Sequence, residues 1–322
     1  MSNPVLNTSI RYPSFDLIRL LLAVEVVVVH TWASLDPHFN WPGFIRAVPA
    51  FLAVSGFLVL KSFASTGSWP AFARKRALRI FPALITSLLL GYVLLDYTFL
   101  INSLTVWITG GWTMPPHTNS ALWSLAWEEL AYAVLAVLWA LGAYKRPVYI
   151  WLLLAVASVI SWKVTTLPIS PYFHVLSYLA PAFFTGNLMF LHQDRLMRLG
   201  SVLPWVFFVV VCLWTYIPIP GIGGDMAPSV VQAFAVVWAG MAGAKLIPAK
   251  IPDLSYGMYV YHIPMILFLN ATYKPENPFL TGLILTVALV TFSTASWYLI
   301  EKPALRLKNR AGAAPVDGVR VS

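Results

Sequence analysis

The chain has 322 residues, of which 59% are hydrophobic and only 10% are charged, and its mean hydropathy is +0.75. Soluble domains have about 45–50% apolar and about 25% charged residues, so this composition excludes an ordinary soluble fold and indicates an integral membrane protein. The net charge of +9 does not indicate nucleic-acid binding, because the basic residues lie in connections between apolar segments rather than on one solvated face.

About ten apolar segments approach the roughly 20 residues that a transmembrane helix needs. The predicted fold class is therefore all-α, a polytopic membrane protein of about ten transmembrane helices. The first segment carries charges and lacks a small-residue cleavage site, so we expect a permanent helix rather than a signal peptide. In chain order the predicted spans are 14–34, 47–63, 80–98, 123–143, 148–165, 176–190, 200–218, 229–244, 254–271 and 279–300.

Residues 1–310 are predicted to form one membrane domain, and residues 311–322 a disordered cytoplasmic tail without apolar periodicity. Lysine and arginine are concentrated in alternate connections, which the positive-inside rule places in the cytoplasm. Both termini are therefore predicted to be cytoplasmic, in a multi-pass protein of the inner membrane. The cytoplasmic cations of the connections are Lys61, Arg74, Lys75, Arg76, Arg79, Lys145, Arg146, Arg195, Arg198, Lys245 and Lys250, and the C-terminal end adds Lys302, Arg306, Lys308, Arg310 and Arg320; those on the opposite side are Arg46, Lys163 and Lys274.

The longest predicted outward connection runs from Ile101 to Trp123. It carries turn signals at Gly110-Gly111 and Pro115-Pro116 and several aromatic residues. We expect this connection to be a loop that could cover a site facing outside.

Arg19 and His30 are predicted to lie on one face of the first helix. They are eleven residues apart, and at about 100° per residue this spacing returns to within about 20° of the same face, about 16 Å further along. Asp16 can pair with Arg19 from one turn earlier. Ionisable groups at mid-membrane cost at least ~2.5–3.5 kcal/mol each, which favours a shared polar cavity. The alternatives are a snorkelling interfacial anchor for Arg19 and an interfacial hydrogen-bonding role for His30.

The pattern Asp16-x-x-Arg19 followed by His30 resembles the first-helix motif of the acyltransferase 3 family of integral membrane acyltransferases. The resemblance reaches to Pro303 and implies an O-acyltransferase of the exopolysaccharide or O-antigen type. It implies acetyl-CoA, or another acyl-CoA, as a co-substrate rather than a permanently bound cofactor, and a carbohydrate or lipid-linked glycan as acceptor. The later matching stretches are FLAVSGFLV (51–59), FARKRALRIFP (72–82), LWSLAWEELAY (122–132), LSYGMYVYHIP (254–264) and YLIEKP (298–303).

A basic cluster of Arg74, Lys75, Arg76 and Arg79 precedes the third predicted span. Arginine binds phosphate in a bidentate manner and lysine as a point charge, so the cluster can hold the phosphates of coenzyme A. Membrane orientation and contact with anionic lipid are the alternative explanations. The resemblance implies donor binding, because Arg76 and Arg79 match the paired arginines of the family.

The stretch 122–132 supplies a candidate carboxylate at Glu128, which matches the acidic position of the family motif. Its neighbour Glu129 lies about 100° away on a helix and cannot share that face. Trp123 is a candidate for stacking on a sugar, or else part of the aromatic belt at the membrane interface. In the earlier Ser55-Gly56 pair, small side chains favour close helix packing.

Ser255, Tyr259 and His262 follow the i, i+4, i+7 spacing of one helical stripe. They are candidate substrate-binding residues, with simple helix packing as the alternative. Glu301, in the closing motif, is predicted to be a structural anchor at the end of the last helix.

Acyl transfer from a thioester to a hydroxyl needs a base or a nucleophile, together with stabilisation of the oxyanion. Imidazole can act as either near neutral pH, so His30 is the predicted catalytic residue, with Glu128 orienting its ring or stabilising its cationic form and Arg19 completing the catalytic set. A serine or cysteine nucleophile is disfavoured, because no Gly-x-Ser-x-Gly elbow occurs and Cys212 lies in an apolar run. The histidines are scattered and lack zinc-site spacing, so no metal is predicted.

Two other functions remain open from the sequence. A transporter or flippase for a lipid-linked glycan would also need intramembrane charges and an aromatic-lined route, although no internal repeat supports one. A catalytically idle membrane scaffold is the third hypothesis.

Overall fold

The computed structural model describes residues 10–35, 45–66, 68–165, 167–168, 171–214, 226–242, 252–273 and 277–310. All secondary structure in these residues is helical, which confirms the predicted all-α class. The α-helices are α1 (Ser14–Leu35), α2 (Ala47–Thr66), α3 (Trp69–Leu94), α4 (Tyr97–Thr109), α5 (Trp123–Ala140), α6 (Pro147–Thr165), α7 (Pro171–Leu191), α8 (Gln193–Leu196), α9 (Val202–Trp214), α10 (Met226–Met241), α11 (Ser255–Thr272), α12 (Pro278–Ser296) and α13 (Lys302–Arg310).

Six of the described helical segments are long and apolar enough to cross a membrane. The number becomes seven if α9 and the short helical segment before it, which meet at 92°, form one broken span. The protein is thus a multi-pass membrane protein by helix length and composition. The total of ten spans and the cytoplasmic location of both termini stay predictions, and residues 311–322 lie outside the described part of the chain.

Helix α3 begins eleven residues before the predicted span, at Trp69 rather than residue 80. Ser68 occupies the N-cap, Pro70 is in the first turn, and the following basic segment contains no helix-breaking residue. A window chosen for apolar character cannot find this basic turn, because its charges lower the hydropathy without disfavouring a helix. The basic cluster therefore lies on a helix and not in a loop.

The predicted outward connection is helical over its first part. Asp96 caps α4 by accepting a hydrogen bond from the Phe99 amide at 2.7 Å, and Gly110 ends the helix with a φ of 61°. The prediction of a loop over residues 101–109 is therefore wrong. Capping residues at both ends, rather than apolar length, define this helix.

Helix α7 packs against α2, α6 and α10, and its closest approach is to α2. At that crossing a Cβ atom on Gly56 would lie 2.4 Å from the carbonyl oxygen of Phe183, and one on Gly186 would lie 2.0 Å from that of Ala53. The close packing expected for Gly56 is confirmed. Helix α1 packs between α2, α10 and α11, while α11 also contacts α3 and α12. These contacts bring the polar residues of α1, α3, α5 and α11 towards a common interior.

Glu301 lies in a π-helical turn, Trp297–Glu301, that joins α12 to α13. It is 2% exposed and accepts a hydrogen bond from Ser296 at 3.3 Å. This buried position agrees with the predicted anchoring role.

Candidate active site

Three adjoining cavities occupy the interior between α1, α2, α3, α5 and α11. We call them the basic cavity, the central cavity and the histidine cavity. The basic cavity contains Arg19, Arg76, Arg79 and Asp253 in its lining. The central cavity includes Ser124. The histidine cavity contains His30 and Trp123.

Neighbouring cavities share lining residues. Arg19, Ser55 and Glu128 line both the basic and the central cavity. Val48 and Tyr259 line both the central and the histidine cavity. The shared residues place the three cavities in a row, with the central cavity in the middle.

Arg19 and Arg79 converge on one carboxylate in the basic cavity. Arg19 Nη1 donates to Asp253 Oδ2 at 2.7 Å, and Arg79 Nη2 donates to the same oxygen at 2.5 Å. Ser255 Oγ donates to the other oxygen at 2.7 Å. Burial alone would raise the pKa of the Asp253 carboxyl, but the two guanidinium groups outweigh this effect and hold its pKa well below the ordinary value. The salt bridge of Arg19 is thus made with Asp253, in place of the predicted pair with Asp16.

Asp253 was not among the sequence candidates. The available signal was its position two residues before Ser255, directly ahead of the matched 254–264 stretch. Its two arginine partners come from α1 and α3, which are distant in the chain, so the pairing could not be read from local spacing. Asp16 also lines this cavity.

Two of the four cations predicted to bind the donor, Arg76 and Arg79, line the basic cavity. They are three residues apart on α3 and therefore share a helical face. Arg74 is exposed, and Lys75 Nζ donates to Thr66 Oγ1 at 2.7 Å. Helical geometry thus divides a cluster that is continuous in sequence. The structure does not bring Arg74 or Lys75 to the cavity.

The Arg76 guanidinium lies near two aromatic rings that also contact each other, 5.7 Å from the centre of Phe72 and 5.9 Å from that of Tyr132. Its Nε is buried and has no hydrogen-bond partner among the described residues. Within the described part of the chain, Arg76 thus contacts two rings and has no carboxylate ion pair of the kind that holds Arg79.

Glu128 lies where the basic and central cavities meet. One of its oxygens accepts hydrogen bonds from Ser55 Oγ and from the Tyr132 hydroxyl, each at 2.5 Å. Glu129 instead lies beside Trp107 and lines none of the three cavities described above. The structure therefore distinguishes the two adjacent carboxylates as the sequence predicted.

His30 contacts a second histidine. Its Nδ1 lies 2.9 Å from His262 Nε2, with the ring centroids 5.0 Å apart and the ring planes inclined by 15°, so the two rings meet edge to edge. His262 Nδ1 lies 2.7 Å from the carbonyl oxygen of Tyr259, and His262 is 0% exposed. The ring of His30 therefore contacts His262, in place of the orienting contact with Glu128 that the sequence predicts. His262 lines none of the three cavities and contacts His30 in place of the predicted substrate.

The remaining predicted site residues line the row of cavities. The Tyr259 hydroxyl donates to the Ala121 carbonyl oxygen at 2.9 Å and lies 2.6 Å from Ser124 Oγ. Ser255 lines the central cavity, with its hydroxyl directed to Asp253. Trp123 lines the histidine cavity, beside His30.

The described residues contain no group of three or more His, Cys, Asp or Glu side chains placed to hold a metal ion. His117 is paired with Asp96 at 3.4 Å, away from the three cavities. His38 lies outside the described residues. The absence of a metal from the mechanism stays a prediction.

The fold is that of a polytopic helical membrane protein whose arginine, carboxylate and imidazole side chains line a row of interior cavities. The chain belongs to the acyltransferase 3 family, since the model of the family's acyltransferase domain matches residues 12–300. This match confirms the resemblance seen in the sequence motifs. The protein is a membrane acyltransferase.

Two curated relatives are similar over nearly the whole chain. Nodulation protein 10 of Rhizobium leguminosarum bv. viciae is 28% identical, with 92% of this chain and 94% of the relative covered. O-acetyl transferase of Shigella phage Sf6 is also 28% identical, with 89% of this chain and 94% of the relative covered. No solved structure shows a significant match.

Proposed function

We propose that the protein is an acetyl-CoA-dependent O-acetyltransferase of the inner membrane, which acylates a hydroxyl of a surface or exported carbohydrate or lipid-linked glycan. The observation that carries the proposal is the row of cavities between the arginines of α3 and His30 of α1. The name of the phage relative, O-acetyl transferase, supports the acetyl group and the oxygen acceptor.

The basic cavity suits the phosphate end of coenzyme A. Arg76 presents a guanidinium that is not neutralised by a carboxylate among the described residues, and Arg79 and Arg19 add positive charge beside it. The cavity lining also contains the carboxylates of Asp16, Glu128 and Asp253, so the proposal depends on the Arg76 guanidinium as a local phosphate ligand and not on an excess of positive charge. The extended arm of the donor would then reach through the central cavity towards His30.

In the proposed reaction His30 acts as the general base. It takes the proton from the acceptor hydroxyl as that oxygen attacks the carbonyl carbon of the thioester. The tetrahedral intermediate collapses with cleavage of the carbon–sulfur bond, and the imidazolium returns its proton to the coenzyme A thiolate. The products are the O-acetyl ester and free coenzyme A, and His30 is again neutral.

The histidine cavity suits a carbohydrate acceptor. The indole of Trp123 offers a flat apolar surface for the C–H face of a sugar ring, and Ser120 offers a hydroxyl. Both residues line the same cavity as His30, so an acceptor bound there would lie beside the proposed base.

The test uses the full-length protein in lipid nanodiscs, with acetyl-CoA labelled in the acetyl group and surface polysaccharide from a strain that lacks the gene. We expect release of free thiol and transfer of label to the polysaccharide in a linkage that dilute base cleaves. Vesicles containing the protein and a fluorescent lipid-linked glycan test the transporter hypothesis in parallel. Glycan movement without thiol release would reject the enzyme assignment in favour of a transporter.

A further inference from the structure

Helix α11 presents a fully buried imidazole next to the proposed base. His262 is 0% exposed and lines none of the three cavities, so neither substrate can reach it directly in this structure. A buried polar ring is costly unless its nitrogens are hydrogen-bonded. Both nitrogens of His262 have a partner, and these partners determine where the protons lie.

The first partner fixes the tautomer of His262. Its Nδ1 lies 2.7 Å from the backbone carbonyl oxygen of Tyr259. A carbonyl oxygen can only accept a hydrogen bond, so Nδ1 must carry the proton. In a neutral imidazole the other nitrogen, Nε2, is then an acceptor with a free lone pair.

The second partner extends this assignment to His30. His262 Nε2 is 2.9 Å from His30 Nδ1, and since Nε2 can only accept, His30 Nδ1 must donate. A neutral His30 with its proton on Nδ1 has its lone pair on Nε2. Since the described partners of His262 are a carbonyl and another imidazole, burying a charged ring there would lack a compensating anion.

We infer that His262 is a positioning residue, which fixes His30 in the tautomer whose Nε2 accepts the proton of the acceptor hydroxyl. The chain of contacts runs from the Tyr259 carbonyl through His262 to His30, and the edge-to-edge hydrogen bond between the two rings restricts rotation of His30. In a catalytic triad, a charged carboxylate orients the histidine. In this protein the neutral ring of His262 orients His30. The inference rests on the proposed function, because it presumes that His30 is the base.

Three substitutions separate the two contacts of His262. His262→Gln places an amide near the position of Nε2 and can still accept from His30. His262→Asn places its amide near the position of Nδ1, where it can donate to the Tyr259 carbonyl but is too short to reach His30. His262→Leu removes both contacts while keeping an apolar side chain of similar size.

We expect the Leu and Asn variants to lose about 10²–10⁴-fold in kcat, the range for a lost base or a wrong tautomer. The Gln variant should recover most of the wild-type kcat. The KM for acetyl-CoA and the affinity for coenzyme A should not change in any of the three, because the donor arginines lie in a different cavity. His192, which lies outside the three cavities, provides the matched controls His192→Gln and His192→Leu, both expected to behave as wild type.

A wild-type kcat in the Leu variant would overturn the inference. An Asn variant as active as the Gln variant would also overturn it, since the Tyr259 contact alone would then suffice, as in a purely structural role. If the Leu variant does not fold, the Gln and Asn variants still decide, because both keep a polar group. Absence of acyl transfer by the wild-type protein would instead reject the proposed function.

Discussion

The basic cavity and the histidine cavity hold their functional side chains by different means. In the basic cavity Arg19 and Arg79 are fixed by the charge of Asp253. In the histidine cavity His30 is fixed by a neutral ring, which is itself held by a backbone carbonyl. Fixed charges suit the binding of a phosphate anion, whereas a neutral support leaves the lone pair of a base available. In the proposed mechanism, donor binding and proton transfer therefore occur in different cavities of one row.

His30→Ala is the most direct test of the difference between the two cavities, because it removes the proposed base and leaves the basic cavity intact. We expect kcat to fall by about 10²–10⁴-fold, with the affinity for coenzyme A unchanged, in steady-state transfer and calorimetric binding measurements. His192→Ala is the matched control. Substantial remaining turnover would remove His30 from the catalytic role and leave the donor site unaffected.

Asp253→Asn tests the basic cavity, at the opposite end of the row. It leaves two guanidinium groups without their carboxylate, and the carboxylate is only 13% exposed, so water screens the loss poorly. We expect a destabilisation of about 3–5 kcal/mol, measured by thermal unfolding in detergent. Asp194→Asn, at an exposed carboxylate on α8, is the control and should change stability little.

The stability difference caused by Asp253→Asn should depend on pH in a fixed direction. Because the arginines lower the folded-state pKa of Asp253 below the unfolded value of about 3.9, the carboxylate contributes its full stabilisation above that value. The contribution is lost as the pH falls from there towards the folded-state pKa. The unfolding temperatures of wild type and variant should therefore differ at pH 7 and converge below about pH 4. A difference that grows with acidity would contradict the ion-pair explanation.

Sequence patterns predicted the helical class and several of the residues that line the cavities, because those depend on local spacing; Arg74, Lys75 and His262 were also predicted as site residues but line none of the three cavities. Arg19 and His30 share one side of α1 as their eleven-residue separation requires, and Glu128 is distinguished from Glu129 by helical rotation alone. The partners of these residues could not be predicted. Asp253 and His262 meet α1 across more than 230 positions, and only tertiary packing decides such contacts.

Hydropathy also placed some helix boundaries incorrectly for a physical reason. It measures preference for lipid, whereas a helix begins and ends where capping groups satisfy its terminal amides and carbonyls. The basic turn of α3 and the capped helix α4 were therefore both assigned to connections. The division of the basic cluster into Arg76 and Arg79 on one face and Arg74 on another follows directly once that turn is known to be helical.

Arg76→Ala compared with Arg74→Ala sharpens the description of the basic cavity. Arg76 lines the cavity and Arg74 is exposed. Loss of a charged hydrogen bond to phosphate costs about 1.5–3 kcal/mol, so the Arg76 variant should bind coenzyme A about 10–100-fold more weakly, and the Arg74 variant as wild type. The wild-type affinity should also fall as salt is raised. Equal affinities for the two variants would instead support a role of the basic cluster in membrane orientation.

Glu128→Gln tests the junction between the basic and the central cavity. The substitution replaces a carboxylate that accepts from Ser55 and Tyr132 with an amide, which weakens both hydrogen bonds. We expect about a tenfold fall in kcat, corresponding to about 1.4 kcal/mol. Glu129→Gln, which changes a carboxylate outside the cavities, should have a smaller effect in the same assay. The reverse ranking would mean that the carboxylate of the site has been misassigned.

At the crossing of α2 and α7, the adjacent residues Ser55 and Gly56 have two separate roles. Gly56 brings the backbones together, and its neighbour Ser55 reaches Glu128 on another side of the same helix. The position of the Ser55 hydroxyl is therefore determined by the backbone contact between α2 and α7, which involves no reactive group. Any residue with a β-carbon at position 56 would push the two helices apart and displace that hydroxyl, so a substitution outside the cavity lining would change the geometry of the interior.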